Sequence, residues 1–376
     1  MTTLYIPKEL IPGEQRVAAT PDSVKRYVSL GARVLVESGA GLGSQVADGD
    51  YEKAGATIIL DPHPTPLPDR EREASLRAGE GIATADIVLC VRPPSSLLIS
   101  AMKEGAMLIG MLDPYSNQST RELYHSKKIS AFAMELLPRI SRAQAMDVLS
   151  SQSNLAGYRA VIEASFMLGK ATPMMMTAAG TVAAAKALVL GAGVAGLQAI
   201  ATAKRLGAMV SAFDVRPAVK EQVESLGAKF IEVPAEGGET TGGYAREMSE
   251  EYKQKQSKLI ADTIAKQDIV ITTALIPGKP APTLITQAMV ENMRPGSVIV
   301  DLAAERGGNC ELTKADEVVQ HRGVTILGAT NLPSRVASDA SGLYARNLYN
   351  FVSTLMLGKE GLSVKWDDEL IKGTLL

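Results

Sequence analysis

The stretch KALVLGAGVAGLQAIATAKRLGAMVSAFDVR, residues 186–216, decides the fold of this chain. In it a short apolar strand leads into three glycines, an apolar helical pattern follows, and a second strand ends in an acid. These landmarks are Ala187–Leu190, Gly191, Gly193, Gly196, Met209–Phe213 and Asp214. Strand, glycine triplet, helix, strand and acid in this order are typical of a dinucleotide-binding βαβ unit.

The three glycines and the acid have separate tasks in such a unit. Gly191 allows the tight turn, Gly193 lets the backbone approach a pyrophosphate, and Gly196 lets the helix pack closely on the strand. The N–H groups and the dipole at the start of the helix favour the phosphate charge. Asp214 ends the second strand, where a carboxylate accepts hydrogen bonds from the adenosine ribose hydroxyls. The motif therefore predicts a dinucleotide site rather than a merely structural glycine-rich turn.

The acid also favours one coenzyme over the other. A 2′-phosphate at Asp214 would meet a negative charge, so the sequence predicts NAD(H) rather than NADP(H). Arg216 complicates this rule because a nearby arginine can hold a 2′-phosphate, and we expect it at the adenine side or on the surface. The further cofactor contacts that we predict are Val194, Ala195, Val215, Gly243, Ala274 and Leu275.

The composition narrows the class of protein. A length of 376 residues suggests two or three domains, and a composition of 46% hydrophobic and 21% charged residues is enough for sizeable cores. A net charge of −2 and only 4% aromatic residues argue against a nucleic-acid partner. Two cysteines without a disulfide pattern fit a reducing cytoplasm. We expect a soluble chain, because there is no signal-peptide pattern and the longest uncharged stretch, Ala187–Ala203, is too short and glycine-rich to span a membrane.

Apolar strand patterns alternate with helical patterns along the chain, which indicates parallel sheets. The segments ADIVLCVRPP and QDIVITTALIPGKP are each followed by a further apolar strand, which gives a faint internal repeat. We therefore predict an α/β protein with two doubly wound, Rossmann-like parallel-sheet domains separated by a cleft. The first would comprise residues 1–137 and 338–376, and the NAD(H)-binding domain residues 138–337.

Two polar stretches are candidates for a functional surface. The first runs from Pro138 to Asn154, where amide and guanidinium groups adjoin apolar side chains, and helical spacing begins at Leu155. This favours the lining of a cleft, with a solvated linker as the alternative. The second, Pro234–Lys258, is long enough to be a functional lid. Its glycines and Tyr244 could close over a ligand, but a surface loop is equally consistent with its composition.

The chain lacks an obvious apparatus for proton transfer. Its three histidines, His63, His125 and His321, all fall in loop- or turn-like settings, and no serine lies in a nucleophile elbow. No cluster of histidine, cysteine and aspartate has the spacing of a metal site, so we predict no metal. A dehydrogenase that acts on an alcohol or amine needs an acid–base group. Hydride passage between two nicotinamides needs only two rings held face to face and water excluded.

Several long stretches resemble the NAD(H)-binding alpha subunit, or first domain, of proton-translocating NAD(P) transhydrogenase. Besides the glycine-rich stretch they include AMELLPRISRAQAMDVLSSQSNLAGYRAVIEA, PMMMTAAGTV, TGGYAREMSEEY, DIVITTALIPGKPAPTLIT and NLPSRVASDAS. Together the matching stretches cover most of residues 129–340. The N-terminal PKELIPGEQRVAATPDSV also fits and is shared with alanine dehydrogenase.

The resemblance implies roles for particular residues. The nicotinamide-side loop and the mobile-loop tyrosine of that family would fall on Arg139, Gln144, Asp147, Ser150 and Tyr244. Gln144 would reach toward the second nucleotide, which a separate NADP(H)-binding component holds. These residues would orient the nicotinamide of NAD(H) for hydride transfer.

The resemblance also implies partners and a location. It predicts a homodimer that docks on membrane-spanning and NADP(H)-binding subunits, which couple hydride transfer to proton translocation. We expect the chain in the cytoplasm, peripheral at the inner face of the membrane. Because the chain ends at Leu376 without a membrane segment, the spanning parts would be separate chains.

Two other functions remain as alternatives. Alanine dehydrogenase shares this fold, but that family uses a lysine and a histidine at positions that lie near Cys90 and Met111 in this sequence. Neither side chain can do this acid–base work. The third hypothesis is a non-enzymatic NAD-sensing module. An intact loop from Arg139 to Asp147 and the presence of Tyr244 argue against it, because a sensor needs no exposed nicotinamide.

Overall fold

The computed structural model describes residues 1–60, 81–115, 118–233, 249–276 and 278–376. The chain forms two compact units: Met1–Gln152 with Ser334–Leu376 is the first unit, and Ser153–Pro333 is the second unit. The chain changes units within one long helix and returns after Pro333, whereas the sequence predicts these changes at residues 137/138 and 337/338. The sequence-based domain assignment stays a prediction, and His63 lies outside the described residues.

The regular elements are numbered in chain order. The helices are α1 (Pro21–Ser29), α2 (Asp48–Lys53), α3 (Ser96–Ala101), α4 (Gln118–Ser126), α5 (Val148–Met167), α6 (Val194–Arg205), α7 (Lys220–Ser225), α8 (Glu250–Ile264), α9 (Gln287–Glu291), α10 (Ala337–Leu355) and α11 (Glu369–Thr374). The strands are β1 (Thr3–Ile6), β2 (Arg33–Glu37), β3 (Thr57–Ile59), β4 (Ile87–Leu89), β5 (Met107–Gly110), β6 (Ser130–Ala133), β7 (Met175–Thr177), β8 (Gly180–Val182), β9 (Lys186–Leu190), β10 (Met209–Phe213), β11 (Lys229–Ile231), β12 (Ile269–Thr272), β13 (Val298–Asp301), β14 (Val318–His321), β15 (Val324–Gly328), β16 (Leu357–Gly358) and β17 (Gly361–Leu362). Within the described ranges, no helix combines the length and the apolar character needed to cross a membrane.

The first unit is built on a parallel sheet of six strands in the order β3-β2-β1-β4-β5-β6. Side chains of the central strand β1 are buried on both faces of this sheet. Leu4 and Ile6 join one apolar cluster, and Tyr5 joins the cluster on the opposite face. Burial on both faces explains why these strands read as apolar runs rather than as an alternating pattern.

The second unit repeats this order with one addition, β11-β10-β9-β12-β13-β15-β14, in which only β14 is antiparallel. Ala187 and Val189 of β9 join one cluster, and Leu188 and Leu190 join the other. The predicted α/β class with two doubly wound parallel sheets is confirmed. Strand β14 was not predicted from the sequence, which predicts a loop- or turn-like setting for His321, the last residue of this strand.

The long helix α5 begins earlier than the sequence suggested. We expected helical spacing from Leu155, but the helix starts at Val148, so the second half of the first polar stretch is helical. The cause is a cap: the Asp147 carboxylate accepts a hydrogen bond from the N–H of Ser150 at 2.9 Å, which satisfies an otherwise unpaired donor of the first turn. A cap of this kind lets polar side chains begin a helix.

Within the second unit, α5 packs very closely on the start of α6. A Cβ atom built on Gly157 of α5 would lie only 2.0 Å from the carbonyl oxygen of Ala195 in α6. No side chain fits at this position, because the atom it meets belongs to the backbone. Gly157 therefore fixes how near the first turn of α6 approaches α5.

We predict that Gly157→Ala destabilises the protein. The added methyl group must push α5 and α6 apart, and overpacking of this kind costs about 1–3 kcal/mol of unfolding free energy. The matched control is Gly342→Ala in α10, where a Cβ atom would meet nothing within 4 Å. This control should gain up to about 1 kcal/mol from higher helix propensity. Denaturant unfolding measures both changes, and equal stability of the two variants would contradict the packing argument.

Candidate dinucleotide-binding site

The second unit builds its candidate site where strands β9, β10 and β12 end. Gly191 follows β9 with φ +99°, a conformation that favours glycine, and its N–H donates to the carbonyl of Phe213 at 2.8 Å. A Cβ atom on Gly191 would lie 2.5 Å from Oγ1 of Thr273. Both the backbone conformation and the contact with the end of β12 therefore exclude a side chain at this position.

The first turn of α6 lies directly on this glycine. A Cβ atom on Gly196 would be 1.8 Å from the carbonyl oxygen of Gly191, so the helix could not approach the strand with any other residue there. The surroundings of Gly193 are open, with the nearest atom 4.0 Å from its Cβ position. The N–H groups at the start of α6, including those of Val194 and Ala195, have no acceptor within the helix, which suits a bound phosphate.

The Asp214 carboxylate lies at the end of β10 and is 9% exposed. Its Oδ2 accepts a hydrogen bond from the N–H of Ala192 at 2.7 Å, and its Oδ1 accepts one from the N–H of Arg216 at 2.8 Å. Asp214 therefore holds the backbone of the glycine turn itself. The motif alone assigns this acid only to the ribose and does not indicate the second task.

Arg216 forms a two-point ion pair with the same carboxylate. Its Nε donates to Oδ1 of Asp214 at 2.9 Å, and its Nη2 donates to Oδ2 at 2.8 Å. The Arg216 side chain is 17% exposed, and its Nη2 is the atom that lies 4.0 Å from the Cβ position of Gly193. These contacts disfavour the surface position that the sequence left open for Arg216. They bring a positive charge beside the glycine turn.

The end of β12 borders the glycine turn on its other side. Thr273 Oγ1 donates to the carbonyl of Gly191 at 3.1 Å, and the Ala274 nitrogen lies 3.5 Å from the Cβ position of Gly191. Leu275 follows with 44% of its surface exposed, and Val215 packs against the apolar cluster of the second unit. The structure thus brings the predicted residues of the glycine turn, the acid, Arg216 and Ala274 into one neighbourhood.

One contributor to this neighbourhood was not predicted from the sequence. The Asn309 side chain accepts a hydrogen bond from the Ala274 N–H at 3.0 Å and is completely buried. Asn309 lies at the end of the segment AAERGGN, which follows β13. The signal that could have identified it is the asparagine directly after two glycines in the loop beyond β13, where glycines let the backbone approach closely.

The predicted nicotinamide-side residues lie on the first unit. Asp147 and Ser150 contact each other, because the Ser150 N–H and hydroxyl both donate to the Asp147 carboxylate. Arg139 and Gln144 are exposed, and within the described part of the chain the Gln144 side chain makes no hydrogen bond. The segment thus presents one amide to solvent next to a fixed helix cap.

Other members of the same polar stretch anchor this segment to the first unit. Asn347 of α10 donates to the carbonyl of Ala145 at 2.9 Å. Arg142 forms a two-point ion pair with Asp368, with N···O distances of 2.6 and 2.9 Å. These contacts hold the turn Ser141–Met146 from two sides, so only some residues of the stretch are available to a ligand. The predicted residues Tyr244 and Gly243 lie outside the described residues.

The strand ends of the first unit carry different chemistry. Cys90 and Met111, the residues near the alanine dehydrogenase acid–base positions, are both buried, and burial raises the pKa of the Cys90 thiol well above its usual value. Glu9 is a titratable group that was not predicted from the sequence. It accepts a hydrogen bond from the Val91 N–H at 2.5 Å, and burial raises its pKa to about 7. This carboxyl holds the end of β4 through that backbone contact.

Comparison with known proteins identifies the family. The N-terminal domain of the alanine dehydrogenase/PNT family matches residues 5–65 and 70–156, and its C-terminal domain matches residues 160–376. The chain is 52% identical over 380 residues to the protein of Rhodospirillum rubrum that is named as the first part of the NAD(P) transhydrogenase alpha subunit. This match covers 99% of this chain and 95% of that protein.

A solved structure and an alanine dehydrogenase are also similar to this chain, to different degrees. The crystal structure of transhydrogenase from Sinorhizobium meliloti matches with a TM-score of 0.87 and 52% identity, covering 100% of this chain and 98% of that one. Alanine dehydrogenase of Bacillus subtilis is 31% identical over 339 residues, covering 88% of this chain and 79% of that enzyme. The chain therefore belongs to the alanine dehydrogenase/PNT family and is more similar to NAD(P) transhydrogenase alpha subunits than to this alanine dehydrogenase.

Proposed function

We propose that this chain is the NAD(H)-binding component of a proton-translocating NAD(P) transhydrogenase. A hydride passes directly between NAD(H) on this chain and NADP(H) on a partner subunit, and membrane subunits couple this transfer to proton translocation. The observation that carries the proposal is a combination of features in one chain. A complete glycine turn with Asp214 accompanies buried Cys90 and Met111, where the related dehydrogenase has its acid–base pair. Such a chain suits a reaction in which no proton is exchanged with the substrate.

The electrostatics around Asp214 support NAD(H) as the nucleotide of this chain. Ribose hydroxyls can donate hydrogen bonds to the Asp214 carboxylate, whereas this carboxylate would repel a 2′-phosphate. Arg216 already pairs with both carboxylate oxygens of Asp214. The ribose hydroxyls would therefore bind a carboxylate whose negative charge Arg216 partly balances. The open space at Gly193 and the start of α6 would receive the pyrophosphate.

The reaction makes modest chemical demands on the protein. A hydride leaves C4 of one nicotinamide and arrives at C4 of the other, so one ring is oxidised and the other reduced without a proton donor. The protein has to hold the rings at a reactive distance of about 3–3.5 Å and exclude water. We assign the orientation of the NAD(H) ring to Arg139, Gln144, Asp147 and Ser150, and the closing contact to Tyr244. The Asp147–Ser150 cap supports this assignment because it fixes the segment on which Gln144 is exposed.

The proposed partners follow from the relatives. The protein of Rhodospirillum rubrum is named as a portion of one subunit, which implies further subunits in its complex. We propose that this chain likewise works with a NADP(H)-binding subunit and with membrane-spanning subunits. Its place would then be cytoplasmic and peripheral, at the inner face of the membrane.

A homodimer is the proposed state of the chain within that complex. The hairpin of β7 and β8 exposes three consecutive methionines, Met174, Met175 and Met176, at 63%, 43% and 80%. Methionine is a flexible apolar residue that is favoured at interaction surfaces, and a short isolated hairpin gains stability by packing. A second copy of the chain would cover this surface.

The alternative functions make different predictions. An alanine dehydrogenase-like enzyme would need an acid–base group, and Glu9 is a titratable carboxyl near Cys90, with a pKa of about 7. Glu9 is, however, hydrogen-bonded to the backbone at Val91, which assigns it a structural task. Reduction of NAD by alanine on this chain alone would support that alternative. A sensing module would bind NADH and show no hydride exchange with any partner.

We predict that Asp214→Ala changes the preference between the two coenzymes. Removing the carboxylate frees Arg216 to pair with a 2′-phosphate, so the ratio of NADPH to NADH affinity should rise about tenfold or more, equivalent to ~1.4 kcal/mol. Equilibrium binding followed by nucleotide fluorescence measures both affinities. Asp262→Ala, an exposed position on α8, is the control for the change in net charge. An unchanged ratio would remove Asp214 as the residue that selects NAD(H).

We predict that Gln144→Asn slows hydride transfer with little loss of NADH affinity. The variant keeps the amide but withdraws it by one methylene, and misplacement by about 1 Å can cost about a hundredfold in rate. Single-turnover hydride transfer, with the NADP(H)-binding partner present, measures the rate. Gln222→Asn on α7, also exposed, is the control. A variant that transfers hydride at the wild-type rate would remove the role of Gln144.

We predict that Met176→Lys weakens the homodimer. A charge on this exposed position of β7 would have to be buried by the second copy, which costs several kcal/mol if it finds no partner. Sedimentation equilibrium measures the dissociation constant. Met209→Lys is the control, because Met209 is 60% exposed at the start of β10, outside the hairpin. Equal weakening by the two variants, or a monomeric wild type, would contradict this interface.

A further inference from the structure

Asp301 is a buried carboxylate that organises the end of strand β13. It is inaccessible to solvent, and each of its oxygens accepts hydrogen bonds at 2.7–3.0 Å. The donors are the hydroxyls of Thr272 and Thr313 and the N–H groups of Ala303, Asn309 and Cys310. One side chain thus connects the end of β12, the end of β13 and the loop that follows β13.

The loop approaches Asp301 closely because it lacks a side chain at one point. Gly308 has φ +87°, and a Cβ atom there would lie 2.8 Å from Oδ2 of Asp301 and 2.8 Å from Cβ of Thr313. Any other residue would push the loop away from the carboxylate. The glycine before Asn309 therefore allows its N–H to reach Asp301 at 2.7 Å.

Asn309, which Asp301 holds, forms hydrogen bonds in turn with the loop after β12. Its Oδ1 accepts from the Ala274 N–H at 3.0 Å, and its Nδ2 donates to the Ala274 carbonyl at 2.9 Å and to the Pro282 carbonyl at 2.8 Å. Its own carbonyl accepts from the N–H groups of Leu284 and Ile285 at 2.8 and 2.9 Å. Every polar group of this completely buried residue is used, and its hydrogen bonds hold backbone on either side of one loop.

We call Asp301 and Asn309, with their hydrogen bonds, the clamp. Its position relative to the glycine turn suggests its purpose. Asp214, which marks the adenosine side, ends β10, on one side of β9 in the sheet, whereas Ala274 follows β12 on the other side. In sheets of this order a dinucleotide crosses at the point where the strand order reverses. Asn309 therefore holds backbone on the side where the nicotinamide half would lie.

We propose that Asp301 and Asn309 are positioning residues for the nicotinamide half of the dinucleotide. Asp301 fixes Asn309, and Asn309 fixes the backbone at Ala274 and at Pro282 against which the nicotinamide ribose and ring would lie. This proposal rests on the proposed function, because it requires that the second unit binds NAD(H). It adds two residues that do not themselves contact the reacting atoms.

The purpose of such a clamp follows from the demands of hydride transfer. Backbone that one buried amide holds at Ala274 and at Pro282 loses conformational freedom before the nucleotide arrives, so less entropy is lost on binding. The adenosine half has its own anchors in Asp214 and the glycine turn. Removing the clamp should therefore affect one half of the dinucleotide selectively.

The test compares two nucleotides on Asn309→Ala. The dissociation constants of NADH and of 5′-AMP, which lacks the nicotinamide half, are measured by titration calorimetry on the full chain. We expect NADH to bind about tenfold more weakly, since backbone hydrogen bonds are lost, while 5′-AMP binds within about twofold of the wild type. Asn292→Ala is the matched control, because Asn292 is an exposed asparagine of the same unit. Its amide donates locally, to the carbonyl of Ala288 in helix α9.

The outcomes separate this proposal from the proposed function. If the wild type binds neither nucleotide, the proposed function fails. If the wild type binds both and Asn309→Ala weakens both to the same degree, or neither, the positioning role is overturned while the function stands. Asn309→Ser retains a small polar side chain and allows the same comparison should the alanine variant fail to fold. Asp301→Asn, which turns one acceptor into a donor, should reproduce the selective loss of NADH affinity.

Discussion

The close approach of helix α6 to the end of strand β9 is the constraint on which the candidate site depends. The helix can reach Gly191 only because Gly196 has no side chain, and α5 can press on α6 only because Gly157 has none. The same glycine turn is held by the neighbouring strand ends: Thr273 donates to the carbonyl of Gly191, and Asp214 accepts from the N–H of Ala192. The same glycines that allow tight packing thereby place a helix start at the strand ends, where its unpaired N–H groups can meet a phosphate.

The chain uses one sheet order twice and gives the two copies different chemistry. Both sheets begin with three strands wound in one direction and continue in the other, but only the second carries the glycine turn and its acid. At the strand ends of the first sheet lie buried Cys90 and Met111, together with Glu9, whose carboxylate holds backbone. In the proposed function the first unit contributes orientation, through Gln144, rather than acid–base chemistry. A reaction that moves only a hydride permits this loss of proton-transfer groups.

Features that belong to a known motif were predicted well from the sequence, and contacts that no motif describes were predicted poorly. The bounds of β10 and the motif from Gly191 to Asp214 were available because each depends on neighbouring residues. The pairing of Arg216 with Asp214 was not predicted, since the motif describes each of the two residues only as a contact of the nucleotide. The partnership of Asn309 with Ala274 was also missed, because it joins residues far apart in the chain and only the fold brings them together. The capped start of α5 escaped prediction because its first turns are polar.

The most direct test of the proposed function is to follow the hydrogen itself. NADH that carries deuterium at the transferred C4 position is mixed with this chain, the NADP(H)-binding partner and NADP, and the product NADPH is analysed by mass spectrometry. Direct transfer predicts that NADPH retains the deuterium in full and that no product forms without the partner. Product that contains solvent hydrogen instead of deuterium would contradict the account, because it would require the proton-transfer group that the proposed mechanism excludes.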